Sequence, residues 1–193
     1  MTVSDADHPA LATLPPLAAE DHFCADCDLR YGELSVDGAR AMVSDVGEHA
    51  AEACHSVPGA ALRVRPAPAV WSALEYLCHL RDVHVVGTIR LHRMRTEDAP
   101  VLEPMLNDLR ARRFRYNELD PSAVLDELSR TAAGFLDEVA RVPSDGWTRG
   151  ATRLPGEWRT ARWLVRHTAH EGVHHVADIR RMLSSTQRSG SRR

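Results

Sequence analysis

The sequence predicts an all-α protein, a four-helix bundle preceded by an N-terminal extension that contains a CxxC motif. Four long segments repeat apolar residues at helical spacing, and no segment shows the apolar/polar alternation typical of a strand. Turn and start signals, such as Val57-Pro58-Gly59 and Asp120-Pro121, separate these segments. Four amphipathic helices in a chain of 193 residues bury their apolar faces best against one another.

The composition divides the chain into three parts. Residues 1–34 are predicted to form a flexible extension, residues 35–184 the bundle, and residues 185–193 a disordered tail. The extension begins with a Pro- and Ala-rich segment, and the tail is rich in Ser and Arg. Neither end shows the apolar periodicity that a packed helix needs.

The four bundle helices are predicted from their periodicity and their start signals. Their expected ranges are 36–55, 71–95, 121–142 and 160–184. Ser72 or the preceding Ala-Val step opens the second helix, Pro121 occupies the first turn of the third, and Thr160 caps the fourth. An Arg-rich segment predicts a further short helix at 107–119. The segment from Pro143 to Gly156 is predicted to be a loop.

Charge and hydropathy exclude some classes of partner. The net charge of −3 gives no strong attraction to nucleic acid or to an anionic membrane. No run of about eighteen apolar residues is present, so no membrane span is predicted. The N-terminus lacks the basic start and apolar stretch of a signal peptide, so a cytoplasmic location is expected. Arg supplies all 24 basic residues, which is typical of a GC-rich genome.

The four cysteines are expected to be thiols in that compartment. Cys24 and Cys27 form one CxxC motif, which is half of a zinc knuckle. His22 could add a third ligand, but no fourth is evident; a redox pair and a simple turn remain open. The motif is expected to be dispensable for any metal site in the bundle. Cys54 and Cys78 are predicted to be packing residues.

The last predicted helix carries five potential metal ligands within nine residues: His167, His170, Glu171, His174 and His175. Ligands four apart on a helix point the same way. At about 100° per residue, Glu171 and His175 lie at the edge of the apolar arc, whereas His170 and His174 lie further toward the polar side. We therefore predict Glu171 and His175 as ligands and the other three as supporting, surface or pocket-rim residues. The alternative is a polar face that is merely rich in histidine.

A third ligand must come from another helix, and His79 is the best candidate. Tyr76 lies three residues before it and Val83 four after it, so His79 falls on an inward stripe. A lone histidine on such a stripe is usually a core residue, but the cluster on the last helix favours the ligand interpretation. His84 and His92 are predicted to be exposed to solvent.

Two segments carry a family resemblance: WSALEYLCHLRD (71–82) and HEGVHHVADIRR (170–181). Over about residues 36–184 the chain resembles the DinB-like/YfiT-like metalloenzyme superfamily, which is distinct from the DNA polymerase of similar name. The resemblance implies a four-helix bundle with a divalent metal ion, zinc or nickel. Its ligand positions match His79, Glu171 and His175. The Glu at the first position on the last helix is similar to the mycothiol-dependent maleylpyruvate isomerase branch, although the extra C-terminal domain of that branch is not expected here.

This resemblance implies an enzyme that uses a small-molecule thiol, with mycothiol as cosubstrate, and an electrophilic substrate. The reaction would be a thiol transfer or a thiol-assisted isomerisation. Arg81, Arg90 and Arg166 are candidates for binding an anionic substrate, with solvated surface positions as the alternative. Two other functions remain open. One is a metal-dependent hydrolase, and the other is a non-catalytic metal-binding protein of the stress response or of an interaction, with a homodimer as one assembly.

Overall fold

The computed structural model describes residues 14–190, and its regular elements follow the predicted order. In chain order they are β1 (Phe23–Cys24), β2 (Leu29–Arg30), α1 (Val36–Cys54), α2 (Gly59–Leu62), α3 (Ala73–Thr96), α4 (Asn107–Arg113), a 3-10 helix (Tyr116–Glu118), α5 (Pro121–Ala140), a 3-10 helix (Gly146–Thr148), β3 (Gly150–Thr152), β4 (Trp158–Thr160) and α6 (Ala161–Gly190). The two strand pairs are antiparallel and separate from each other.

The bundle consists of α1, α3, α5 and α6, which confirms the predicted fold class. Both α1 and α3 pack against α5 and α6. Helices α1 and α3 therefore lie at opposite corners of the bundle, and the segment that contains α2 connects them. The apolar stripes of the four helices meet in a core that is closed to solvent, which includes Val43, Leu74, Leu77, Leu128, Phe135, Val165 and Ile179.

The predicted caps are present at the helix starts. The Ser72 side chain accepts from the Glu75 backbone N–H, and the Glu75 carboxylate accepts from the Ser72 N–H in return. The Asp120 side chain caps α5, whose first residue is Pro121. Thr160 Oγ1 accepts from the Trp163 backbone N–H at 3.1 Å, so it caps α6 as predicted.

Local structure differs from the prediction in three places. The segment 107–119 is not one helix, because Arg115 adopts a left-handed backbone with φ of 49° that a right-handed helix cannot continue. The two hairpins were not predicted, since strands of two or three residues are too short to show alternation. Helix α6 continues past the predicted end at 184, and residues 191–193 lie outside the described part.

Residues 14–34 of the predicted extension pack against α6 and the β3–β4 hairpin. The Leu17 backbone N–H donates to Glu157 Oε1 at 2.9 Å, and Trp163 Nε1 donates to the Ala19 carbonyl at 3.1 Å. The Tyr31 side chain is fully buried. These contacts place the described part of the extension against the bundle. Residues 1–13 lie outside the described part, and the three-part division of the chain remains a prediction.

The prediction for the buried cysteines holds, but one of the two histidine predictions on α3 is wrong. Cys54 and Cys78 lie in the apolar core, whereas the predicted solvent-exposed His84 is fully buried. Its Nδ1 lies 2.7 Å from the Leu80 carbonyl and its ring packs edge-on against Phe135. Burial lowers the pKa of His84 to about 4, so the ring is neutral.

Within residues 14–190, no helix has the length and apolar content needed to cross a membrane.

Candidate metal centre

Helices α3 and α6 bring together the three ligands predicted from the sequence. His79 is buried in the second turn of α3, and Glu171 and His175 lie one turn apart on α6. His79 Nε2 is 3.0 Å from Glu171 Oε2, and His175 Nε2 is 3.4 Å from the same oxygen. One ligand atom from each residue lies within 4.8 Å of those of the other two. Metal binding by these three residues remains a prediction, but their ligand atoms lie close enough together to share one ion.

Asp178 orients His175 in this cluster. Its Oδ2 lies 2.9 Å from His175 Nδ1, on the side of the ring opposite Glu171, and its other oxygen accepts from Arg181. A carboxylate that binds one ring nitrogen leaves the other free to bind a metal, and this pairing is common at metal sites. Asp178 was not among the residues predicted from the sequence. Its position three residues after His175, on the same face of a helix, was the available signal.

The charges of the cluster favour a cation. Burial alone would raise the pKa of Glu171, but hydrogen bonds to His175 and His79 outweigh this effect and hold it well below its usual value. Burial alone would lower the pKa of His175, because it disfavours the charged imidazolium. The hydrogen bonds to Asp178 and Glu171 outweigh burial and raise this pKa to about 9. The two carboxylates thus draw positive charge into a largely buried site. A His₂-carboxylate donor set of this charge fits a divalent metal ion with open coordination positions.

A cavity of about 220 Å³ adjoins the cluster and reaches His79 and Glu171. Residues 15–18 of the N-terminal segment form part of its wall. Its apolar lining comes from α3 and α6 and includes Val83, Val86, Gly87 and Leu164. The volume lies below the roughly 300–1,000 Å³ of pockets for drug-sized ligands, so the cavity suits a small substrate.

Arg90 is the candidate anion-binding residue that lines this cavity. Its Nη2 donates to the Glu103 carbonyl oxygen at 2.5 Å, and no carboxylate among the described residues lies within 4.0 Å of its guanidinium. Burial, followed by the charge of Arg153, lowers the pKa of Arg90 to about 10, so it is cationic at neutral pH. An anionic group in the cavity would therefore find an Arg90 charge that no carboxylate compensates.

The other two arginine candidates have partners outside the cavity. Arg81 Nη1 donates to Glu127 Oε2 at 2.8 Å and Arg81 Nε to Asp82 Oδ1 at 2.9 Å. Arg166 Nε donates to the Leu34 carbonyl oxygen at 2.7 Å. We therefore retain only Arg90 as a substrate-binding candidate.

The remaining histidines of α6 face the N-terminal segment. His167 Nδ1 lies 2.9 Å from Tyr31 Oη, and His174 Nδ1 lies 3.5 Å from Cys24 Sγ. His170 is 8% exposed, so of the alternatives left open for it a surface position is excluded. The helical phase was correct for the isolated helix, but the β1–β2 hairpin covers that face. Other groups of side chains also have ligand atoms within 4.8 Å of one another, such as His167, His170 and Glu171. None of these other groups among the described residues includes a residue of α3.

A bundle of four helices whose facing side chains form a His/Glu/His cluster is an architecture typical of helical metal-site proteins. The chain belongs to the DinB superfamily, whose family model matches residues 44–179. This match confirms the family that the two sequence segments indicated. It spans two of the predicted bundle helices completely and most of the first and the last.

Two solved structures share the fold. YfiT from Bacillus subtilis, described as a probable metal-dependent hydrolase with an unusual four-helix bundle topology, is 18% identical with a TM-score of 0.68, over 79% of this chain and 89% of that one. A mycothiol-dependent maleylpyruvate isomerase is 14% identical with a TM-score of 0.62, over 77% of this chain and 62% of that one. No curated protein matches the chain. At these identities the likeness establishes the fold, and the activities belong to those proteins.

Proposed function

We propose that the chain is a divalent-metal-dependent enzyme that uses a small-molecule thiol of the mycothiol type, as an S-transferase or an isomerase. The observation that carries this proposal is the convergence of His79, Glu171 and His175 at one end of a cavity lined by the uncompensated cation Arg90. The two nitrogens and one carboxylate would bind zinc or nickel and leave positions open. A metal ion there supplies Lewis acidity, which lowers the pKa of a thiol or a water molecule that it binds.

The protein's own residues would position the reactants. Arg90 would bind a carboxylate or another anionic group of the electrophile. The apolar side chains of α3 and α6 would exclude water from the reacting atoms, which favours thiol attack over hydrolysis. Asp178 would keep the His175 ring oriented, because its oxygen holds Nδ1 at 2.9 Å. A cavity of about 220 Å³ holds a small electrophile, so the body of a larger thiol would lie at its mouth.

Turnover with and without thiol tests this proposal. Purified protein loaded with zinc or nickel would be mixed with mycothiol or bacillithiol and a small acidic electrophile. Thiol consumption would report a transfer, and conversion of the electrophile with the thiol unchanged would report an isomerisation. We expect thiol-dependent turnover that Glu171→Gln and His175→Ala abolish. The control is His92→Ala, because that histidine lies on α3 outside the cluster and its side chain is 56% exposed. Turnover of an activated ester without thiol would instead favour a hydrolase.

Metal content, measured together with turnover, distinguishes a non-catalytic metal-binding protein from the thiol-dependent enzyme and from the hydrolase. We expect His175→Ala to lose the metal of this cluster while its helical circular dichroism remains, since the apolar core does not depend on the metal. Metal binding that is lost in His175→Ala, without turnover under either condition, would favour a metal-binding protein of the stress response or of an interaction. Retention of the metal in His175→Ala would contradict the ligand assignment itself.

A further inference from the structure

The CxxC motif lies on a short hairpin that packs on α6, beside the proposed metal centre. Cys24 ends β1, Cys27 lies in the turn, and Asp28 in the same turn adopts a left-handed backbone with φ of 53°. Zinc knuckles place their thiolates in turns of this kind. The hairpin thus presents two neighbouring sulfur atoms toward one face of α6.

His170 faces this hairpin without a hydrogen-bond partner among the described residues. It is 8% exposed, and neither of its ring nitrogens has a hydrogen-bond partner among the described residues. A buried polar atom left unpaired costs about 1–3 kcal/mol, so native proteins rarely leave both nitrogens of one ring unpaired. The potential metal ligands next to His170 are Cys24, Cys27 and His174. A cation between these side chains and His170 would give the buried ring a partner.

We propose that Cys24, Cys27, His170 and His174 bind a second metal ion, a zinc ion, in a site separate from the His79/Glu171/His175 cluster. One ligand atom from each of the four residues lies within 4.8 Å of those of the others. In a tetrahedral zinc site, with Zn–S of ~2.3 Å and Zn–N of ~2.0–2.1 Å, ligand atoms lie roughly 3.3–3.8 Å apart. On zinc binding, the distances between ligand atoms would therefore need to shorten by about 1.5 Å at most.

The remaining groups support this ligand set. His174 Nδ1 lies 3.5 Å from Cys24 Sγ, while its Nε2 lies 3.5 Å from Asp178 Oδ2. The carboxylate thus fixes the ring with Nδ1 toward the sulfur, as outer carboxylates do at zinc sites. His170 and His174 are four residues apart on α6, so both rings point to the same side. The ring of His22, the ligand considered from sequence, instead packs edge-on against that of His170.

Four protein ligands close the coordination shell, so this zinc ion would be structural. It would attach the hairpin to α6 and thereby hold residues 15–18 in the wall of the catalytic cavity. Zinc binding would release the two thiol protons, because the ligands are thiolates. Asp178 touches His174 of this site and His175 of the other, so one carboxylate would support both metal ions.

Cobalt substitution tests the site without reference to activity. Tetrahedral Co²⁺ bound by thiolates gives a sulfur-to-metal charge-transfer band, which the His79/Glu171/His175 cluster cannot give. Under reducing conditions we expect this band in the unmodified protein, and a total of two metal ions per chain. The variant with both Cys24→Ser and Cys27→Ser should lose the band and one metal ion. His175→Ala should lose one metal ion but keep the band.

A second pair of variants tests the histidine ligands. His170→Ala and His174→Ala should each weaken zinc retention against a chelator at least tenfold, whereas His92→Ala should not. Absence of the charge-transfer band in the reduced, cobalt-loaded protein would overturn the proposal, and so would its persistence in the double serine variant. The purified protein could instead contain a Cys24–Cys27 disulfide that prevents cobalt binding. If that disulfide re-forms after reduction in preference to metal binding, the motif is a redox pair and the proposal is overturned. Because each site has its own readout, failure of one assignment leaves the other intact.

Discussion

Replacing Asp82 with Asn should destabilise the bundle more than any exposed charge change. Asp82 is 4% exposed on α3 and accepts from Tyr116 Oη and Arg110 Nη2, both at 2.6 Å, and from Arg81 Nε at 2.9 Å. The side chain therefore joins α3 to α4 and to the 3-10 helix that follows it. Asn keeps one acceptor oxygen but turns an amide N–H₂ toward donors and removes the buried negative charge.

The magnitude follows from the buried charge and the hydrogen bonds that the substitution removes. Breaking a buried ion pair by removing one partner costs about 3–5 kcal/mol, and the retained oxygen places Asp82→Asn near the lower end. We expect about 3 kcal/mol less free energy of unfolding at pH 7. The control is Glu127→Gln, which removes the other carboxylate that binds Arg81. The Glu127 side chain is 44% exposed, so its loss should cost less than about 1 kcal/mol.

The pH dependence gives an independent check. Burial raises the pKa of Asp82, but hydrogen bonds from Tyr116 and Arg110 and the charge of Arg81 outweigh it and hold the pKa below its usual value. A carboxyl with a depressed pKa contributes stability above its unfolded pKa of roughly 3.9 and loses it as the pH falls through the folded pKa. Urea unfolding of both proteins at pH 7, 5 and 3.5 should show a constant gap that narrows only at the lowest pH. Equal effects of Asp82→Asn and Glu127→Gln at pH 7 would refute the reasoning.

Three further predictions concern packing, the N-terminal segment and a buried histidine. Gly87→Val should lower the free energy of unfolding by about 1–3 kcal/mol, since a Cβ at Gly87 would lie 3.1 Å from an aromatic ring, while Gly134→Val, with no atom within 4 Å of its Cβ, should be tolerated in urea titrations. Tyr31→Phe leaves His167 Nδ1 without its 2.9 Å partner and should cost about 1–3 kcal/mol; faster proteolysis within residues 14–34 would show it, and unchanged cleavage would contradict it. Because the folded pKa of His84 is about 4, its own contribution to the free energy of unfolding should fall by about 2 kcal/mol between pH 7.5 and 5. The difference in stability between the wild type and His84→Leu should change by that amount over this range, and an identical pH profile in both proteins would sink this prediction.

The sequence by itself determined the bundle and the three candidate ligands that meet in it. The apolar periodicity of the four helices, with Ser72, Asp120 and Thr160 at their starts, encodes the fold locally, since capping and amphipathicity act within a few residues. The convergence of His79 with Glu171 was also predictable, because both lie on the inward edge of helices that must face one core. Capping and periodicity act without regard to which helices are neighbours, whereas the convergence also required α3 and α6 to lie side by side.

Only the tertiary structure decided what covers each helix face. Whether His170 is buried depends on the hairpin of Cys24 and Cys27, which is distant in sequence and whose strands are too short to show periodicity. His84 is buried because α5 brings Phe135 against it, although its own helix gives no such indication. Burial of a side chain is set by long-range contacts, and these depend on how separate segments pack rather than on local pattern. For that reason the CxxC motif acquired two histidine neighbours that the sequence alone could not assign to it.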